Sequence, residues 1–190
     1  MVPHGVVLGA SRGGTGALAR LLTSLGGGLM APLVVALHRA AESDEMLLEF
    51  LRKSAAVPVT EALDKEPLLP GCVYLAPADY HLLIEEDRLA LSVDPPVCWA
   101  RPSIDVLFES AADSWGEQAI GVILSGGNAD GAAGLARIKE YGGLAVVQEP
   151  SEAECAIMPE ASLRAVQVDK TLRLEEIAVL LSGIRAPQLR

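Results

Sequence analysis

The amino-acid sequence predicts an α/β fold: a doubly wound, mostly parallel sheet with helices on both faces and an antiparallel edge hairpin. Three observations predict it. Short runs of branched apolar residues, GVVL at 5–8, PLVVAL at 32–37 and AIGVIL at 119–124, suit strands buried on both faces. Segments with apolar residues at helical spacing alternate with these runs. Glycine-rich turns, GASRGGTG after the first run and SGGNADG after the third, sit where strand passes into helix.

Each element has its own local reason. Ala17, Leu18, Leu21, Leu22 and Leu25 form the stripe of a first helix, which Gly26 to Gly28 stop. Ser43 and Asp44 can cap a second helix carrying Met46, Leu47, Phe50 and Leu51. Residues 58–63 and CVYLA at 72–76 read as strands, separated by a turn-rich link with Pro67 and Pro70. Residues 81–84 and 88–91 flank the acidic turn Glu85-Glu86-Asp87, the pattern of a hairpin. After a loop at 94–101 containing Trp99, Pro102 can open a helix with Ile104, Leu107, Phe108 and Ala111 inside. A helix over 131–141, a strand over 144–148, a loop with a short helix to 165, a short strand over 166–168 and an amphipathic helix over 172–184 complete the chain. The polar tail from Arg185 is expected to be loose. Strands alternating with helices in this way make a Rossmann-like order. No repeat or linker interrupts it, so residues 1–190 read as one domain.

Composition narrows the function. A formal net charge of -10 argues against nucleic acid or an anionic membrane surface as the main partner. No apolar run approaches the roughly 20 residues of a membrane span. The start MVPHGVV lacks the pattern of a signal peptide. Cys72, Cys98 and Cys155 are odd in number and lack CxxC spacing, which fits a reducing cytoplasm without a disulfide framework or zinc knuckle.

Three reactive residue types fall at strand ends. Ser11 follows the first strand, His38 ends the second, and Asp130 closes the glycine loop after residues 119–124. All three are expected on the carboxyl edge of one sheet, where ligands bind in open α/β folds. A hydroxyl, an imidazole and a carboxylate there can perform nucleophilic acyl transfer. Each also has a plainer reading: Ser11 and Asp130 as helix caps, His38 as a satisfied strand-end residue. A nucleotide-binding oxidoreductase is the other alternative for the glycine loop. Its spacing departs from GxxxGxG, however, and the second strand ends in His38 rather than the acid that would hold a ribose.

Several motifs in chain order resemble the catalytic domain of the CheB-type chemotaxis protein-glutamate methylesterases: GASRGGTGAL, VVALHR, VYLAPADYHLLI, RPSIDVLF, GVILSGGNADGAAGL and the stretch 148–159 ending in Met-Pro. The resemblance implies Ser11 as nucleophile, His38 as general base and acid, and Asp130 as the orienting carboxylate. It implies backbone N–H groups of Arg12 and Gly127 as oxyanion donors, and places Met158 and Pro159 in a substrate-side loop. It implies hydrolysis of γ-glutamyl methyl esters, with deamidation of glutamines, on the cytoplasmic helices of methyl-accepting chemoreceptors. A separate response regulator or signalling partner fits that setting, and no metal or organic cofactor is implied. A catalytically weak regulatory module of the same fold is the alternative, because the family's GMGxDG loop is here GGNADG, with Gly127 for methionine and Asn128 for glycine. The family's usual receiver domain has no counterpart within the five residues before the first strand, so a stand-alone esterase or a fragment is expected. Approach of an acidic partner to an acidic protein favours a locally basic mouth, for which Arg12, Arg39 and Arg101 are the candidates.

Overall fold

The structure is a computed structural model that describes residues 4–39 and 44–184. The expected cap at Ser43 and the tail from Arg185 lie outside the described residues. Seven strands form one sheet, β1 (Gly5–Ala10), β2 (Leu33–Leu37), β3 (Val59–Glu61), β4 (Val73–Leu75), β7 (Ala119–Ile123), β8 (Leu144–Gln148) and β9 (Lys170–Leu172). Their order is β3-β4-β2-β1-β7-β8-β9, and every pairing is parallel. A hairpin of β5 (His81–Glu85) and β6 (Arg88–Ser92) makes a separate antiparallel pair. The helices are α1 (Gly14–Leu25), α2 (Asp44–Ser54), α3 (Ile104–Trp115), α4 (Ala132–Glu140), α5 (Ile157–Ala165) and α6 (Leu174–Ser182).

The pleat divides the apolar residues of β1 between two cores. Val6, Leu8 and Ala10 face a layer containing α1 and α6, with α2 packed beside α1. Val7 faces the other layer, built from α3, α4 and the hairpin, with Met158 of α5. Burial on both faces is why β1 and β2 carry no polar side chain. Two polar-edged hairpin strands, by contrast, need only one apolar face, and they lay it on α3.

The chain leaves β1 toward β2 on one side and later returns with β7 on the other. The sheet's switch point therefore lies between β1 and β7, and the loops after β2, β1 and β7 share one edge. Helix α3 comes unusually near that edge. A Cβ on Gly9 would stand 2.2 Å from Ile104 Cγ2, and one on Gly131 would stand 2.5 Å from the same atom. Glycine at both positions lets the first turn of α3 rest directly on the strand and loop that carry the site.

Three expectations need correction. The hairpin does not extend the main sheet; its apolar face is already committed to α3. The last strand is Lys170–Leu172 and not 166–168, because Asp169 accepts from Ala145 N–H and Lys139 Nζ and so pins the chain where pairing with β8 begins. Pro102 does not occupy the first turn of α3; Ser103 is the cap residue, and its side chain accepts from Val106 N–H.

Gly9→Ala should lower unfolding stability by about 1–3 kcal/mol, because the new methyl group drives Ile104 away from β1. Urea denaturation checks this; an unchanged midpoint at equal slope contradicts the close-approach reading.

Candidate active site

Backbone hydrogen bonds bring the three strand-end loops together around Ser11. Ser11 N–H donates to Ser125 O at 2.9 Å, and His38 N–H donates to Ala10 O at 3.0 Å. Ser11 thus sits between the loop after β7 and the end of β2, partly exposed. It does not cap α1. That helix begins at Gly14, its cap is Gly13 at φ 75°, and no side chain bonds its first turn. The Ser11 hydroxyl makes no hydrogen bond to any described residue, the imidazole of His38 included.

His38 and Asp130 are joined directly. Nε2 of His38 lies 2.7 Å from Oδ2 of Asp130, with the imidazole mostly covered and the carboxylate fully buried. Asp130 does not cap its own helix, α4, whose cap is Gly131. It caps α3 instead. Oδ2 also accepts from Ile104 N–H at 2.7 Å, while Oδ1 accepts from Asp105 N–H at 3.0 Å and from Ser103 Oγ at 2.9 Å. Burial pushes the carboxyl pKa up, but the bonds from His38, Ile104 and Asp105 outweigh it and hold the group below the usual carboxylate range. An ionised carboxylate can only accept, so neutral His38 carries its proton on Nε2 and leaves Nδ1 as an open base.

The motif RPSIDV also contributes residues to which sequence alone assigns no role. Ser103 N–H donates to Nδ1 of buried His81 at 3.2 Å, and Nε2 of His81 donates to Pro95 O at 3.1 Å. Asp105 turns back to accept Gly134 N–H at 2.7 Å, which ties α3 to α4. Burial and the neighbouring Asp130 charge raise the Asp105 carboxyl to about 6. Ser125 is a further residue that sequence reasoning misses. Its hydroxyl donates to Arg12 O at 2.8 Å and accepts Cys155 N–H at 2.9 Å, while its own N–H donates to Gln148 Oε1 at 2.8 Å. A polar residue directly after a buried strand is the only signal the sequence offers for it.

Other candidate residues divide into two groups. Neither Arg12 N–H nor Gly127 N–H donates to any described residue. The Arg12 side chain lies against Gly127, where an added Cβ would stand 3.6 Å from Arg12 Cβ, Nε and Cζ. Arg39, Arg101 and Asn128 border a cavity of about 420 Å³ together with His38, Asp79 and Trp99. The Arg39 guanidinium is buried and donates to Glu61 Oε2 at 2.9 Å and Ala76 O at 2.7 Å. Arg101 spends Nη1 on Val93 O and Asp94 O. Of the expected basic mouth, Arg39 is thus paired with a carboxylate, while Arg101, among the described residues, meets only backbone carbonyls and keeps its charge. Met158 and Pro159 are buried, with Met158 packed under Gly126, so they support the loop from below rather than line a cleft.

Cys98, Asp105 and Asp130 place possible ligand atoms within 4.8 Å of one another. Both oxygens of Asp130 already accept two donors each, and Asp105 Oδ1 accepts Gly134 N–H. The donor set is that of a helix-capping network and not of a metal centre. Among the described residues no helix is long and apolar enough to cross a membrane.

A family model described as CheB methylesterase matches residues 6–181. A Leptospira interrogans protein described as a putative protein-glutamate methylesterase/protein-glutamine glutaminase is 46% identical over 176 residues, covering 92% of this chain and 91% of its own length. Protein-glutamate methylesterase/protein-glutamine glutaminase 1 of Rhodospirillum rubrum is 35% identical over 182 residues, covering 93% of this chain and 47% of the relative. The chain thus spans most of the first relative and about half of the second. The crystal structure of the Thermotoga maritima CheB methylesterase catalytic domain matches with a TM-score of 0.89 at 28% identity, over 96% of this chain and 98% of that one.

Asp105 should make stability fall as pH rises from about 4 to 7, since its folded pKa lies above the ordinary value and the buried site resists its charge. Asp105→Asn does not titrate and keeps an acceptor for Gly134. The melting temperature of the variant relative to the wild type should therefore climb across that interval. A pH-independent difference contradicts the assignment.

Proposed function

Because the chain belongs to the CheB methylesterase family, we propose that it hydrolyses γ-glutamyl methyl esters on the helices of chemoreceptors in the cytoplasm, releasing methanol, and deamidates glutamines at equivalent positions. Ser11 Oγ attacks the ester carbonyl while Nδ1 of His38 takes its proton. Asp130 stabilises the resulting imidazolium through Nε2 and holds the ring in place. The unengaged N–H groups of Arg12 and Gly127 receive the oxyanion. His38 then returns the proton to the departing methoxide, and methanol leaves. Water repeats the attack on the acyl-serine, with His38 again as base, to release the glutamate and free Ser11. With glutamine as substrate the same steps expel ammonia.

The observation that carries this reading is the 2.7 Å bond between Asp130 and Nε2 of His38, made by a carboxylate held ionised, which leaves Nδ1 free to act as base. The gap between Ser11 and the imidazole is compatible with it, because catalytic hydrogen bonds often tighten only with substrate bound. A weak regulatory module of the same fold predicts instead that Ser11 is unreactive.

Ser11→Ala should reduce methanol release from methylated receptor by roughly 10⁴-fold or more, and His38→Ala should do likewise, with unfolding curves near that of the wild type. A fluorophosphonate probe should label the wild type at Ser11 and fail on His38→Ala. Labelling that ignores His38, or undiminished methanol release from Ser11→Ala, removes the relay from the mechanism.

A further inference from the structure

The loop from Asp94 to Arg101 is secured at several points, yet it holds its largest side chain entirely in solvent. His81 Nε2 donates to Pro95 O, and Arg101 Nη1 donates to Val93 O and Asp94 O. The Cys98 thiol lies 3.9 Å from Asp105 Oδ2. At the tip, Val97 and Ala100 exchange both backbone hydrogen bonds, at 3.1 and 2.9 Å. The two residues between them, Cys98 at φ 50° and Trp99 at φ 63°, are both in the left-handed region. Two-residue turns of this kind ordinarily use glycine and asparagine, and a bulky aromatic there is strained. The indole gains nothing inside the protein in return: it is fully exposed and makes no hydrogen bond to any described residue. Strain kept at the edge of a site points to a role in that site.

Trp99 borders the cavity that also holds His38 and Asn128. Val93 and Val97 beside it are exposed as well. Of the arginines of this rim, Arg39 is paired with Glu61 and bonded to Ala76 O, and Arg101 holds the loop through the carbonyls of Val93 and Asp94. The exposed indole and the two valines offer apolar surface, which suits the apolar face of a helix that carries an uncharged ester. We infer that Trp99 is a specificity-determining residue: its indole lies on the apolar surface of the substrate helix next to the esterified side chain and so selects protein substrates over small esters. The inference rests on the esterase reading and adds a residue the relay does not require. Exposed tryptophans that become buried on binding are frequent centres of binding energy.

The test compares a synthetic helical peptide carrying one γ-methyl glutamate with N-acetyl-glutamic acid α-amide γ-methyl ester. Trp99→Gly removes the indole while suiting the left-handed backbone, so its melting temperature should not fall below that of the wild type. It should raise KM for the peptide about tenfold or more with kcat little changed, and raise KM for the small ester less than about threefold. Trp99→Phe should recover most of the loss. Equal effects on the two substrates, or no effect on the peptide, overturn the inference while leaving the esterase reading intact. If the wild type releases methanol from neither substrate, the esterase reading fails. The role of Trp99 is then decided by the fluorescence anisotropy of labelled peptide bound to Ser11→Ala, where a Kd unchanged by adding Trp99→Gly overturns it and a weakened one upholds it.

Discussion

The Asp130 carboxylate against the first turn of α3 is the interaction on which the rest depends. Burying a lone carboxylate costs several kcal/mol. Here two backbone N–H groups, a serine hydroxyl and an imidazole replace its water. The positive end of α3 contributes further stabilisation of about 0.3–2 kcal/mol. The same bonds that keep Asp130 ionised fix the orientation of His38. One capping interaction therefore serves both the packing of a helix and the protonation state of a base. Gly9 and Gly131 let α3 descend far enough for the bonds to form.

A second fastening acts on the other side of Ser11. Ser125 bonds the first glycine loop, the 155 segment and Gln148 of β8 simultaneously. Ser11 is held through its own N–H to the Ser125 carbonyl. The two glycine loops are thus braced against each other across the switch point, and Met158 fills the space beneath Gly126. A loop braced in this way can keep N–H groups unpaired at Arg12 and Gly127 without collapsing onto them. That is the preorganisation that electrostatic catalysis requires.

Charge plays a different part from the one composition suggests. The protein is acidic overall, and arginines follow both Ser11 and His38 in the chain. Of the three candidate arginines only Arg12 is exposed; Arg39 is turned inward to Glu61 and the Ala76 carbonyl, and Arg101 clips its loop. Among the described residues only Arg39 of the three is matched by a carboxylate; Arg12 and Arg101 keep their positive charge.

Much of this molecule is legible in one dimension. Branched runs mark β1, β2 and β7, helical stripes mark α1 and α3, and the positions of Ser11, His38 and Asp130 at strand ends follow from period and chain order. Those features are local, or depend on the parallel connection rule, and neighbouring residues suffice to express them. Tertiary structure decided the rest. It moved the last strand to residues 170–172 through an ion pair between Lys139 and Asp169 that no local pattern encodes. It detached the hairpin from the sheet because α3 offered its apolar face a better surface. It made Asp130 the cap of a helix whose first turn begins 26 residues earlier in the chain. It assigned Nε2 rather than Nδ1 of His38 to the carboxylate. Each of these depends on where distant polar groups meet in a dry interior, and sequence spacing carries no record of that distance.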